Sequence, residues 1–161
     1  MTKPNQAWCS DITYIPMKHG FVYLVAMMDW HGRFIFSWEL SNTIDVDFCI
    51  AALDTALAMG RPEIFNTDQG SQFTSHSFVN LLQAHEVKIS MDGKERAMDN
   101  IFIERVWRSL KYEDVYPHRY ETPVELYHGL DEYFRWYNTE RPHAGLDNRT
   151  PYAIFSMGQE K

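Results

Sequence analysis

The chain has 161 residues, 45% of them hydrophobic and 15% aromatic, which supplies a core for one domain and argues against disorder. Its net charge of −7 argues against a strong free-standing nucleic-acid binder, although residues 1–93 carry 5 basic and 10 acidic side chains and residues 94–161 carry 10 and 12. The longest apolar run, Phe21 to Met28, is far too short to span a bilayer, and no charged-then-apolar leader opens the chain, so a soluble intracellular protein is expected. Cys9 and Cys49 lack any paired motif, so neither a disulfide nor a thiolate zinc site is expected.

Residues 7–16 read as a strand, Lys18-His19-Gly20 as a tight turn, and Phe21 to Trp30 as a strand buried on both faces. His31-Gly32 reads as a second two-residue turn into the strand Arg33 to Leu40, completing an antiparallel meander. The period then changes: Cys49, Ala52, Leu53, Ala56 and Leu57 fall at helical spacing over Asp47 to Met59, and Gly60 with Pro62 ends that helix. Glu63 to Thr67 is a short strand returning parallel to its neighbour. Ser75 can cap a helix with Phe78, Leu81, Leu82 and His85 on one face, and Val87 to Met91 is a fifth strand. Met91 to Met98 reads as a polar mobile loop, followed by helices over Asn100 to Val115 and Pro123 to Asn138 and a tail punctuated by Pro142 and Pro151. This order implies an α/β fold, a five-stranded mixed sheet with helices on both faces.

Three acids stand out. Strand alternation puts Cys9, Asp11, Thr13 and Ile15 on one face, with Trp8, Ile12 and Tyr14 on the other. An ionised Asp inside a sheet is costly unless a cation or partner compensates it, and a paired arginine is the plain alternative to a metal. Asp68 follows the run Ile64 to Thr67 and sits at a strand's carboxyl end; an ordinary turn residue is its plain alternative. Asp29 competes with it, but abuts a hairpin turn where capping is more natural. Glu104 shares a helical stripe with Asn100, Arg108 and Lys111, beside the apolar stripe of Ile103, Val106, Trp107 and Leu110. Lys111 lies about 10 Å along the axis from Glu104, a reach that suits a strand of ligand rather than a direct salt bridge. Carboxylates without Cys or His ligands suit Mg²⁺ or Mn²⁺, and two such ions serve phosphodiester chemistry. Lys94 and Arg96, in the polar loop, are candidate DNA clamps. Trp107 and Trp136 read as core, and His118 and His143 as loop hydrogen-bonders rather than acid-base groups.

The segments Trp8 to Ile15, Asn66 to Ser75, Ile89 to Lys94, Asp99-Asn100, Glu104-Arg105, Ser109 to Glu113, Tyr137 to His143 and Arg149-Thr150-Pro151 resemble the catalytic core of bacterial insertion-sequence transposases related to retroviral integrases, most closely the insertion-sequence-three family. The resemblance covers nearly the whole chain. It implies an RNase H-like fold, Asp11, Asp68 and Glu104 as the catalytic and metal-binding triad, and Lys111 as a contact to the element's end. It further implies a polynucleotidyl transferase that uses two Mg²⁺ or Mn²⁺ ions for strand cleavage and strand transfer. Arg108, Asn100, Lys94, Arg96 and Gln72 join Lys111 as expected DNA contacts. DNA of the terminal repeats and the target, a homodimer or larger assembly, and a bacterial cytoplasmic location with nucleoid association when active complete the expectation. Two features depart from that family. Glu95 replaces a usual small residue, and no upstream helix-turn-helix segment is visible, so residues 1–161 are expected to be one catalytic core from a longer protein. A nuclease of the same fold without strand transfer, or a non-catalytic DNA-binding module, are the competing readings.

Overall fold

A computed structural model describes residues 3–66, 71–90 and 93–159, with 71, 93–100 and 159 described by backbone alone. The meander forms as expected: β1 (Ala7–Pro16), β2 (Phe21–Asp29) and β3 (Ile35–Ser41). β1 and β2 pair antiparallel from Trp8 opposite Asp29 to Pro16 opposite Phe21. After α1 (Val46–Met59), the three-residue β4 (Ile64–Asn66) pairs parallel with β1, and β5 (Lys88–Ser90) pairs parallel with β4. The strand order is β3-β2-β1-β4-β5, so β1 is central.

Helices cover both faces because β1 and β2 present apolar side chains on each of them. On one face Trp8, Val25, Met27 and Phe65 pack against Cys49, Ala52, Leu53 and Ala56 of α1 and Phe78 and Leu82 of α3 (His76–Ala84). Asp45 caps α1 by accepting from the Asp47 N–H, and Ser75 caps α3 by accepting from the Phe78 N–H. The single-turn α2 (Ser71–Thr74) precedes α3. On the other face Cys9, Ile15, Leu24, Ala26 and Met28 meet Ile103, Val106, Trp107 and Leu110 of α4 (Gly93–Leu110), together with Leu126, Leu130 and Phe134 of α6 (Pro123–Thr139). A five-residue π-helical segment, Lys111–Val115, and the short α5 (Tyr116–His118) join α4 to α6. The 3₁₀ turn Ala144–Leu146 and α7 (Pro151–Gln159) close the described chain.

Several boundaries differ from the sequence reading. The backbone is already helical at Gly93, where a polar loop through Met98 was expected; Met91 and Asp92 lie outside the described residues. The polar run Lys94-Glu95-Arg96 lacks the apolar stripe by which a sequence announces a docked helix. The expected helix over Asn100–Val115 is α4 only to Leu110, after which the hydrogen-bond pattern widens to π. The β2–β3 connection is a longer turn in which Arg33 N–H bonds to Asp29 O, Asp29 N–H bonds to Phe34 O, and Arg33 takes φ 59°. Trp136 is 39% exposed on α6, because Tyr133, Phe134 and Tyr137 occupy that helix's core-facing positions. His118 belongs to α5 rather than a loop, with its Nδ1 2.8 Å from Asp114 O. Among the described residues, no helix is long and apolar enough to cross a membrane.

Candidate active site

Strand alternation on β1 is what builds the site. Asp11 and Thr13 share the parity of Cys9 and Ile15, so their side chains rise on the face covered by α4. From α4, Trp107 Nε1 donates to Asp11 Oδ2 at 3.3 Å; one turn on, at the first residue of the π-helical segment, Lys111 Nζ donates to Thr13 Oγ1 at 2.9 Å. Four helical residues advance about 6 Å and two strand residues about 6.6 Å, so both bonds form where α4 and β1 run side by side. Glu104, one turn before Trp107, lines the same surface cleft of about 400 Å³ as Asp11, Thr13, Arg108, Lys111 and Tyr112.

The cleft is electrostatically mixed. Asp11 is half-buried, while Glu104 and Arg108 are exposed on its rim. Burial holds the Lys111 ammonium below its usual pKa range, and the amine lies 5.5 Å from the centre of the Tyr14 ring. Arg108 stacks toward Tyr112 at 5.8 Å. Two carboxylates beside two cations, with an open mouth, can take up divalent cations and the phosphates of a polyanion together.

Of the expected site residues, Asp11, Glu104, Arg108 and Lys111 come together here. Asp68 lies outside the described residues. β4, which leads toward it, ends at Asn66 opposite Cys9, two residues before Asp68 as Cys9 is two before Asp11. Among the described residues there is no group of three metal-ligating side chains. Lys94, Arg96 and Asn100 stand on the first half of α4, where only the backbone is described. Gln72, on α2, is not among the residues lining the cleft; its Nε2 is directed at Ile44 O, 3.5 Å away. Asp29 is fully buried and accepts from the Asn5 and Gly32 N–H groups at 2.9 Å each, so it caps its turn. Burial raises its pKa against those bonds.

Sequence periodicity assigned Trp107 to the core and missed its polar end; an indole three residues after Glu104, facing a strand that carries an Asp, was the available signal. Thr13, Tyr14, Tyr112 and Tyr116 were likewise not singled out as cleft neighbours. The donor set fits a divalent cation: Asp11 and Glu104 are hard oxygen donors on one cleft, and no Cys or His lines it.

A five-stranded mixed sheet with its first three strands antiparallel, helices on both faces and carboxylates gathered between the central strand and a crossing helix is the RNase H-like fold. The structure of the HTLV-2 integrase catalytic core domain in complex with magnesium, in dimeric form, has this fold: the TM-score is 0.75 at 19% identity, covering 95% of this chain and 97% of that one. Residues 1–97 match the Integrase core domain family, and residues 85–151 match a second family of the same description. The chain belongs to the Integrase core domain family. It is similar to the transposase for insertion sequence element IS904 of Lactococcus lactis subsp. lactis (strain IL1403), at 34% identity over 154 residues, 93% of this chain and 61% of the relative. It is also similar to transposase InsF for insertion sequence IS3A of Escherichia coli (strain K12), at 34% over 116 residues, 70% of this chain and 40% of the relative. The chain thus spans less than two thirds of the length of either relative.

Proposed function

We propose that residues 1–161 form one catalytic core domain of a DDE-type transposase, cleaving DNA at insertion-sequence ends and joining the freed ends to target DNA. The observation that carries this reading is the convergence of Asp11 and Glu104 on one cleft, with Trp107 fixing Asp11 and Lys111 held at its edge. Asp11, Glu104 and Asp68 would hold two divalent ions, Mg²⁺ or Mn²⁺, which when bound supply activation of the attacking oxygen and stabilisation of the leaving one. Support for Asp68 is positional in sequence: the β1–β4 register sets Asn66, two residues before Asp68, beside Cys9, two residues before Asp11.

The chain's own groups do the positioning. Arg108 and Lys111 face phosphates entering the cleft, and the Thr13 hydroxyl and Tyr14 ring hold Lys111 in place. In the first step water attacks the scissile phosphorus and the 3′-oxygen leaves with a proton. In the second that 3′-hydroxyl attacks a target phosphodiester, forming a new P–O bond as another breaks, with no covalent protein intermediate. DNA ends must be held in pairs for this, so a dimer or larger assembly in the bacterial cytoplasm is part of the proposal. Lys94, Arg96, Asn100 and Gln72 remain candidate DNA contacts.

The test is strand cleavage and joining on labelled duplexes bearing the terminal repeats, with Mn²⁺. Asp68→Asn and Asp11→Asn should each abolish cleavage by at least about a hundredfold while circular dichroism stays native. Cleavage retained in Asp68→Asn would remove that residue from the site. Cleavage by the unmodified chain without any joined product would identify a nuclease instead.

A further inference from the structure

Beside the carboxylate cleft lies a second cavity of about 330 Å³, lined by Arg33, Arg105, Arg108, Arg141, His143 and Gly145 among others. Four arginines converge there in a chain of net charge −7. One is neutralised: Arg141 Nε and Nη2 donate to Glu113 Oε1 and Oε2 at 2.9 and 2.7 Å. Among the described residues, Arg33, Arg105 and Arg108 have no ion pair. Arg33 Nε and His143 Nε2 are buried without a hydrogen-bond partner.

The cluster is built rather than incidental. The Arg33 guanidinium lies 4.3 Å from the Phe102 ring centre and rests against Gly145, where an added Cβ would collide with its Nη1. Burial and the neighbouring Arg105 push the Arg33 guanidinium below its usual range. Burial, Arg141 and Arg33 hold His143 down to about 4, so it is neutral near pH 7. A bound oxyanion would relieve the repulsion and accept from the orphaned Arg33 Nε–H, and from His143 in the tautomer that carries its proton on Nε2.

We propose that this pocket binds a phosphate group, presented by a DNA strand that passes over Arg108 from the carboxylate cleft. Arg108 lines both cavities, which makes the route continuous. The phosphate chemistry stands on the arginines alone; the strand as its source rests on the DNA reading of the preceding section.

Two measurements test it on the intact chain. The first uses inorganic phosphate at constant ionic strength and follows the thermal midpoint. Phosphate should stabilise the unmodified chain and Arg61→Gln equally, but not Arg105→Gln, whose exposed side chain can be removed without opening the core. Arg33→Gln should behave like Arg105→Gln if it folds. No response in the unmodified chain, or an undiminished one in Arg105→Gln, overturns the pocket. The second measures duplex DNA affinity against salt: Arg105→Gln should flatten the log–log slope by about 0.9 for one lost phosphate contact, with Mn²⁺ binding unchanged. A phosphate response that Arg105→Gln removes, together with an unaltered slope, overturns the strand as the source and leaves free phosphate as the ligand. Both readouts are independent of cleavage, so failure of the three-carboxylate reading would show separately, as activity retained in Asp68→Asn.

Discussion

At the scale of single residues, the bond from the Trp107 indole to Asp11 deserves the closest test, because it joins the core to the cleft. Trp107→Phe keeps most of the buried ring and deletes only the N–H that reaches Asp11 Oδ2. The expected loss of stability is about 1 kcal/mol. Mn²⁺ affinity or cleavage rate should fall on the order of tenfold to a hundredfold, as for other groups that orient a metal ligand. Calorimetric titration and a cleavage time course check this, and values equal to those of the unmodified chain would reduce Trp107 to packing. His143 gives a pH prediction. Its folded pKa of about 4 lies below the ordinary 6.5, so between those values the unfolded chain holds a proton that the folded chain lacks. Stability therefore falls as pH drops from 6.5 toward 4, by on the order of 2 kcal/mol. Urea midpoints should show this slope in the unmodified chain and lose it in His143→Gln. Glu113, held below its usual range by the Arg141 hydrogen bonds, contributes stability that is lost only at lower pH, as its carboxylate protonates.

At the scale of elements, α6 closes the α4 face of the sheet, and its start is set locally. Thr122 Oγ1 accepts from the Glu125 N–H at 3.2 Å, Pro123 opens the helix, and Glu125 Oε2 returns to the Glu121 N–H at 3.1 Å. Thr122→Ala should cost about 1 kcal/mol, a fall of about 3 °C in the thermal midpoint, and Thr122→Ser should restore most of it. Elements with a clear period were legible in the sequence: β1 from its alternation, β2 from its unbroken apolar run, and α1 and α3 from their apolar faces and the Ser75 cap. The elements that escaped lack that signal or carry it briefly. The first turns of α4 are polar and earn no stripe. α7 did announce itself through Thr150 and Pro151, since Thr150 Oγ1 accepts from the Ala153 N–H at 3.1 Å and Phe155 is buried. Proline there reads equally well as the end of a segment, which is how its helix-opening role was missed. The π segment after Leu110 depends on how the chain leaves the sheet, and no local residue preference encodes it.

At the scale of the whole molecule, the cleft could be anticipated only in part. Asp11 and the Glu104–Lys111 stripe were legible because an acid in a strand and a charged stripe beside an apolar one are both local patterns. The arginine pocket was not, because Arg33, Arg105 and Arg141 come from a turn, a helix and the segment after another helix. Acids brought together in a chain already at −7 repel one another, and a cation bound only by the folded state must stabilise it. At a hundredfold excess over its dissociation constant, Mn²⁺ should add about 2.7 kcal/mol. For a chain of this size that corresponds to a thermal midpoint higher by roughly 5–10 °C. In Asp11→Asn the increment should vanish, because the carboxylate at the centre of the proposed site is gone, whereas Asp29→Asn should keep it, since Asp29 is committed to the Asn5 and Gly32 amides. Asp29→Asn will itself lower the baseline midpoint, so the comparison is of increments within each variant. An equal Mn²⁺ increment in Asp11→Asn and the unmodified chain would put the cation somewhere other than the cleft beneath α4.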